Sequence, residues 1–534
     1  MTLRKTALLL IFLVFCFSVY CEENKDETNE VIPEEEIILD EILQNEIYSE
    51  ESIFIINSFN YNVIGRTLPF ALNNKTELKK GEVITGKTNL IKFLKDKRQL
   101  LINERVLKDN VRIEYTIGEI TEDGKYPVDL EIYVEDTWNI IALPYPKYRS
   151  SYGFELTIKA RDYNFFGSMQ ALRFDLGYRY DEENNQSYFS LMLDSGMPFH
   201  IFGLDFFFDF DNFFDYRPNV DVSLSFYFKN KTAISLDIPI KHTTLNLLFS
   251  ESFIFNEEND DSDKLVFVDD FEKFQKGLYL SSSPNISWKI PTGLEIGEYG
   301  ELTYTPSIYA VINHELPLWP LHNNKKGPLL SFNHTLYFGR INWIGNFREG
   351  INVQISNLNS YNFYYPEINM VPWIFNYSIE TKGFFIFIKD HFGFSARLSH
   401  RHWINSYYEY SGDYLRGVYD KDINAEFMLS LNLDIHILAF KIDAYKLFPN
   451  NKFLRSLGFD LHINPVIDGA FYKQPKQSLN DISFNSENFL LGAGFEVIIY
   501  PHQFRSMFFR ISTCWDFSNI SNPIELFLGM EHHY

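Results

Sequence analysis

From about residue 150 onward, apolar and polar side chains alternate with a period of two almost without a break. In QALRFDLGYRYD, Leu172, Phe174, Leu176, Tyr178 and Tyr180 fall on one side, while Arg173, Asp175, Arg179 and Asp181 fall on the other. VDVSLSFYFK repeats the pattern with Val220, Val222, Leu224, Phe226 and Phe228 against Asp221, Ser223, Ser225 and Lys229. AEFMLSLNLDIHIL sets Phe427, Leu429, Leu431, Leu433 and Ile435 against Ser430, Asn432, Asp434 and His436. Successive strand side chains point to opposite faces, so each run predicts a strand with one apolar and one polar face.

Residues 52 to 137 read differently. IFIINSFNYNVIGRT alternates as a strand and ends in a Gly-containing turn. KTNLIKFLKDKRQLLIN has helical spacing at Leu90, Phe93, Leu94 and Leu101, and NERVLKDN suggests a second short helix. VRIEYTI and VDLEIYVED then alternate as strands about Gly124. The predicted order is β-α-α-β-β in a compact α+β domain.

Composition narrows the class. The 534 residues carry 17% aromatic side chains, with 52 Phe and 33 Tyr. Residues 1–21, MTLRKTALLLIFLVFCFSVYC, have a basic start at Arg4 and Lys5 and a short apolar core, as a secretory signal peptide does. Beyond it only Cys514 remains, so internal disulfides do not staple the fold. No later segment offers 18 uninterrupted apolar residues. An exported chain of this kind that crosses a membrane does so as a β-barrel, because only helices and closed barrels satisfy the backbone in lipid. Long alternating strands rich in aromatics fit an outer-membrane barrel of about 16 strands over residues 150–534, with long outer loops expected at 251–276, 404–422 and 473–487.

The net charge of −23 argues against a nucleic-acid surface. Much of it sits in 22–51, an acidic linker in which Pro33 and the acids after it suggest one short helix. Enzyme chemistry finds little support: there is no G-x-S-x-G, C-x-x-C, H-E-x-x-H or P-loop pattern. No cofactor is expected. His400 and His402 in HRHW share a strand face, but two ligands do not make a metal site.

Several stretches, in order, resemble one family. Residues 52–137, with NVIGRT, KKG and RQLLINERVLKDNVRIEY, resemble a POTRA domain, the periplasmic module of BamA/TamA-type outer-membrane proteins and of two-partner secretion transporters. After it a D-x-N-x-x-G element, Asp162, Asn164 and Gly167, resembles the one that follows the family's first barrel strand, here expected at SYGFELTIKA (151–160). LRGVY resembles the V/I-R-G-F/Y motif of the family's sixth loop, with Leu415 and Val418 departing from it and Tyr419 following. INPVIDGAFY resembles the strand bearing F-x-D-x-G, through Asp468 and Gly469. Five alternating segments follow Tyr419, which places the loop between strands eleven and twelve of sixteen.

The resemblance implies a loop folded back into the lumen, with Gly417 permitting the turn and Arg416 paired to Asp468 or Asp434. It implies a closing strand, IELFLGMEHHY, whose Leu526, Leu528, Met530 and Tyr534 form the C-terminal signal. It also implies an assembly factor in the outer membrane that inserts β-barrel proteins through the seam between first and last strands. Its partners would be unfolded outer-membrane proteins, periplasmic or lipoprotein subunits, and outer-membrane lipid. A two-partner-type secretion pore for a single exoprotein and a passive structural barrel are the alternatives.

Overall fold

The structure is a computed structural model and describes residues 48–149, 153–181, 186–218, 224–256, 277–297, 299–316, 321, 326–405, 415–418, 423, 425–447, 458–474, 488–522 and 524–529. The signal-like segment, the linker as far as residue 47 with its expected helix, Tyr419, Met530 and Tyr534 lie outside the described residues, as does most of each expected long loop.

Residues 53–135 form an αβ domain. Its elements are β1 (Ile53–Ile64), α1 (Pro69–Thr76), β2 (Val83–Thr85), α2 (Lys87–Asn103), β3 (Arg112–Ile117) and β4 (Lys125–Glu135). The sheet order is β2-β1-β4-β3, with β1 and β4 parallel at its centre. A bulge between Ile56 and Ser58 moves the inward row of β1 from Phe54 and Ile56 to Phe59, Tyr61 and Val63. That row packs with Leu90, Leu94 and Leu101 of α2 and with Val128, Leu130, Ile132 and Val134 of β4. On the other face Asn57 and Ser58 bond Asp129, and Asn60 and Asn62 bond Glu131.

The observed order, β-α-β-α-β-β, corrects the expected β-α-α-β-β. The second helix is α1, ahead of the long one, and NERVLKDN is not helical. α1 opens on Pro69, needs no side-chain cap, and buries only Ala71, Leu72 and Thr76. Eight residues leave no periodic stripe to read.

Among the described residues eighteen antiparallel strands, not sixteen, then close into a barrel. The first five are β5 (Ile140–Arg149), β6 (Gly153–Asp162), β7 (Leu172–Asp181), β8 (Gln186–Ile201) and β9 (Leu204–Pro218). β10 (Leu224–Ile240), β11 (Thr243–Asn256), β12 (Gly277–Glu295), β13 (Glu301–Glu315) and β14 (Leu329–Ile344) follow. Then come β15 (Phe347–Asn362), β16 (Trp373–Ile388), β17 (Phe392–Ile404) and β18 (Phe427–Ile442). β19 (Phe459–Lys473), β20 (Phe489–Pro501), β21 (Phe509–Asp516) and β22 (Glu525–Gly529) complete the ring, with β22 beside β5.

The barrel therefore starts at Ile140 rather than near 150, and the segment expected as strand one is strand two. Pro144 and Pro146 hid β5, because proline cannot donate to a ladder and normally argues against a strand inside a sheet. The expected outer loop at 251–276 begins later, since β11 runs through Asn256. Many turns facing the αβ domain are tight: Phe202 and Gly203 join β8 to β9 with φ of 55° and 79°, the positive pair of a type I′ hairpin.

The period-two reading places the faces. Along β19, Asp460, His462, Asn464, Val466, Asp468, Ala470 and Tyr472 are buried on the lumenal side, while Ile463 and Ile467 are exposed outside. Exposed Phe249, Ile286, Ile308 and Phe495 continue the outer apolar surface. No described helix is long and apolar enough to cross a membrane, which leaves a β-barrel untouched as a membrane structure.

Candidate functional site

In the connection between β17 and β18, at the end of the barrel remote from the αβ domain, residues 415–418 lie buried in the lumen. Five strands follow, as the sequence suggests, but in an 18-strand ring this loop joins strands thirteen and fourteen. Leu415 and Val418 are buried and pack against Met428 of β18, Ala470 and Tyr472 of β19 and Leu490 of β20. Residues that depart from the family's motif thus form the loop's apolar foot.

Between them Arg416 is wholly buried. Its backbone N–H donates to Asp468 Oδ2 at 2.7 Å, Nε donates to the same oxygen at 2.8 Å, and Nη2 donates to Asp468 Oδ1 at 2.6 Å. Nη2 also donates to Asp434 Oδ1 at 2.5 Å, and Nη1 lies 3.4 Å from Glu496 Oε2. Arg510 of β21 holds the other oxygen of Glu496 at 3.1 Å. Three acids and two guanidiniums from β18, β19, β20, β21 and the loop thus interlock. The planar fork of arginine permits this double bond to one carboxylate while a third acid is engaged.

Glu496 and Arg510 are members of the network that sequence reasoning missed. Arg510 shares the polar inward row of β21 with Ser512 and Asp516. Glu496 is a lone charge on an inward row of β20 made of Leu490, Gly492, Gly494, Ile498 and Tyr500, which gives no polar pattern to read.

The backbone is fitted as closely. Gly417 takes a φ of 87°, where a side chain is strained, and a Cβ there would lie 2.7 Å from the Trp515 carbonyl oxygen. Gly492 of β20 is extended, yet its Cβ would fall 1.8 Å from the Arg416 carbonyl oxygen. Gly492→Ala is therefore expected to push the loop off the wall and destabilise the folded barrel by roughly 1–3 kcal/mol, the usual cost of overpacking. Heat-modifiability on SDS gels would register this as a lower transition temperature than that of the wild type.

The D-x-N-x-x-G element lies at the opposite end, in the turn from β6 to β7, where it meets the αβ domain. Asp162 takes both terminal nitrogens of Arg66, at 3.0 and 3.3 Å. Asn164 is fully buried and donates to Thr67 Oγ1 at 2.7 Å and to Asp136 Oδ2 at 3.1 Å. The Gly167 carbonyl accepts the Leu68 N–H at 2.9 Å. Met169 joins the domain's own core. The element is a fastening between domain and barrel.

Two further sets of contacts, at the β14–β15 and β20–β21 turns, cross the same barrel mouth. Asn103 of α2 bonds Asn342 at 3.0 Å and accepts the Trp343 N–H at 2.9 Å, while Asp96 pairs with Arg340. Arg105, just after α2, has its guanidinium 4.2 Å from the Trp343 ring centre. It donates to the Arg505 carbonyl and to Asn346 Oδ1 at 3.0 Å. Arg505 in turn donates to the Leu107 carbonyl at 2.7 Å. Burial, helped by neighbouring Arg505, lowers the Arg105 pKa to about 10, so it remains a cation at neutral pH. Arg105 and Leu107 sit in the segment read as a second helix, which concealed their role.

Leu526 and Leu528 of β22 lie on the outward row, opposite Thr513 and exposed Ile511. The rings of His400 and His402 flank Phe427 at 5.0 and 5.9 Å, and no group of three metal-ligating side chains occurs among the described residues.

No family model and no curated protein matches the chain. Among solved structures it is similar to CdiB from Escherichia coli, with a TM-score of 0.49 and 9% identity over 90% of this chain and 76% of that one. It is similar to CdiB from Acinetobacter baumannii, with a TM-score of 0.44 and 12% identity over 90% and 73%. BamA from Haemophilus ducreyi lacking POTRA domains 1–3 aligns with a TM-score of 0.36 and 10% identity over 89% and 83%. These structural neighbours are outer-membrane barrels.

Proposed function

We propose that this chain is an outer-membrane assembly factor of the BamA/TamA type, in which the αβ domain is a periplasmic POTRA domain that receives unfolded outer-membrane proteins. In this reading the barrel inserts them across the β22–β5 seam by exchanging strand pairings, without making or breaking covalent bonds. The observation that carries it is the buried Arg416 lock. A loop whose Arg416 is drawn to the inner wall and held by three acids ties β18, β19 and β20 together from inside the lumen, which keeps that side of the barrel fixed while the seam exchanges partners. A passive pore has no use for such a tie. The edge strands of the domain's sheet offer unpaired backbone groups to extended substrate, and the two seam strands would offer theirs once parted.

Quantitative proteomics of the outer membrane after depletion tests this. Broad loss of unrelated barrels is the expected result. Loss of one exoprotein alone would replace the reading with a two-partner secretion pore, and no change would leave a structural barrel.

A further inference from the structure

We infer that the seam edge of β5 is built to come apart beyond Ala142 while its start stays fastened, so that the seam opens from the end remote from the αβ domain. The inference rests on the assembly reading only for its use; its geometry stands alone.

The Tyr163 N–H donates to the Asn139 carbonyl at 2.9 Å, one step beyond the Ile140–Asp162 pair that begins the β5–β6 register. In an antiparallel ladder the residues that exchange bonds with one neighbour alternate with those that face the other. Asn139, Ile141, Leu143, Tyr145, Lys147 and Arg149 therefore bond β6. The backbone groups of Ile140, Ala142, Pro144, Pro146 and Tyr148 point the other way, toward β22.

Both prolines fall on that seam edge, at consecutive bonding positions. They keep their carbonyls and lack their N–H groups. A strand laid there can donate to β5 at both sites but leaves its own carbonyls unmet, and in a membrane no water replaces the missing partner. Prolines occur in other barrel strands, but among the described strands only β5 has two spaced to strip one edge at successive registers.

The start of β5 is held by other means. Ile141 and Leu143 are buried against Met507 in the turn between β20 and β21. The Trp138 N–H donates to the Gln503 carbonyl, and its ring stacks on Phe504 at 5.0 Å. Ser506 donates to Asn139 Oδ1 at 3.1 Å. These contacts reach past β22 to the strand before it and do not depend on the seam ladder.

Hydrogen exchange of the full-length protein in lipid nanodiscs tests the inference, read on the peptide covering β22. Pro144→Val and Pro146→Val restore one donor each and are expected to slow that exchange about fivefold apiece, the effect of one net hydrogen bond. Pro239→Val on β10 controls for general stiffening and should leave the peptide unchanged. Equal exchange in the wild type and the double variant, or equal slowing by Pro239→Val, would overturn it. Barrel insertion into liposomes is scored separately. A wild type that inserts nothing sinks the assembly reading, whereas slowed exchange still upholds the built-in weakness of the seam.

Discussion

Arg416→Ala is expected to release the lumenal loop and to disable the protein more severely than any other single substitution considered. The change strands Asp468 and Asp434, which lose their cation in a buried site, and leaves Glu496 to Arg510 alone. Removing one partner of a buried ion pair costs roughly 3–5 kcal/mol, mostly because the remaining charge has no solvent. The apolar foot at Leu415 and Val418 is too small to hold the loop against that penalty. Protease cleavage within 405–426 should accelerate by roughly a hundredfold, the factor implied by the lower end of that range. The barrel's heat transition should fall in parallel. Arg416→Lys keeps the charge but loses the fork, so it should recover part of the stability and less of the loop protection. If Arg416→Ala left the loop as resistant as in the wild type, the lock would not be what holds it.

Arg105→Ala is expected to free one side of the αβ domain from the barrel mouth. The guanidinium stacks on Trp343 and bonds the Arg505 carbonyl and Asn346, so truncation removes a cation–π contact worth about 0.5–2 kcal/mol and charged hydrogen bonds worth about 1.5–3 kcal/mol each. The losses share one group and do not simply add. Spin labels on α2 and on the turn between β14 and β15 should show a narrow distance distribution in the wild type and a broad one in the variant. Single-channel conductance should rise as the mouth is uncovered. A distribution that stays narrow would mean that Asp96 and Asn103 hold the domain unaided.

What was legible in the sequence is what period and motif order encode. The two faces of β7, β10 and β18 follow from strict alternation. Arg416, Asp434 and Asp468 could be placed together because a loop motif and a strand motif occur in a recognisable order. The strand count failed for a physical reason: strands of up to 19 residues joined by turns such as Phe202-Gly203 carry few of the usual turn residues. β5 failed because proline reads as a breaker, although a seam strand tolerates donors missing on its weak side. Arg105 failed because its surroundings come from residues about 240 and 400 positions later in the chain, and no local pattern announces such a contact.

Among the described residues, hydrogen bonds fasten the domain to the barrel rim at three places, the β6–β7 turn, the β14–β15 turn and the β20–β21 turn, and Phe70 of α1 adds a ring contact with His200 of β8 beside the first. Around the ring of eighteen the three turns lie eight, six and four strands apart, so they form a tripod rather than a row. A body on three feet cannot rock, and one that loses a single foot turns about the line through the other two. The covalent link at residues 136–139 runs beside the β6–β7 and β20–β21 feet. Release at Trp343 and Asn346 would therefore convert a fixed cover into a hatch, with one axis of rotation and one direction in which to swing.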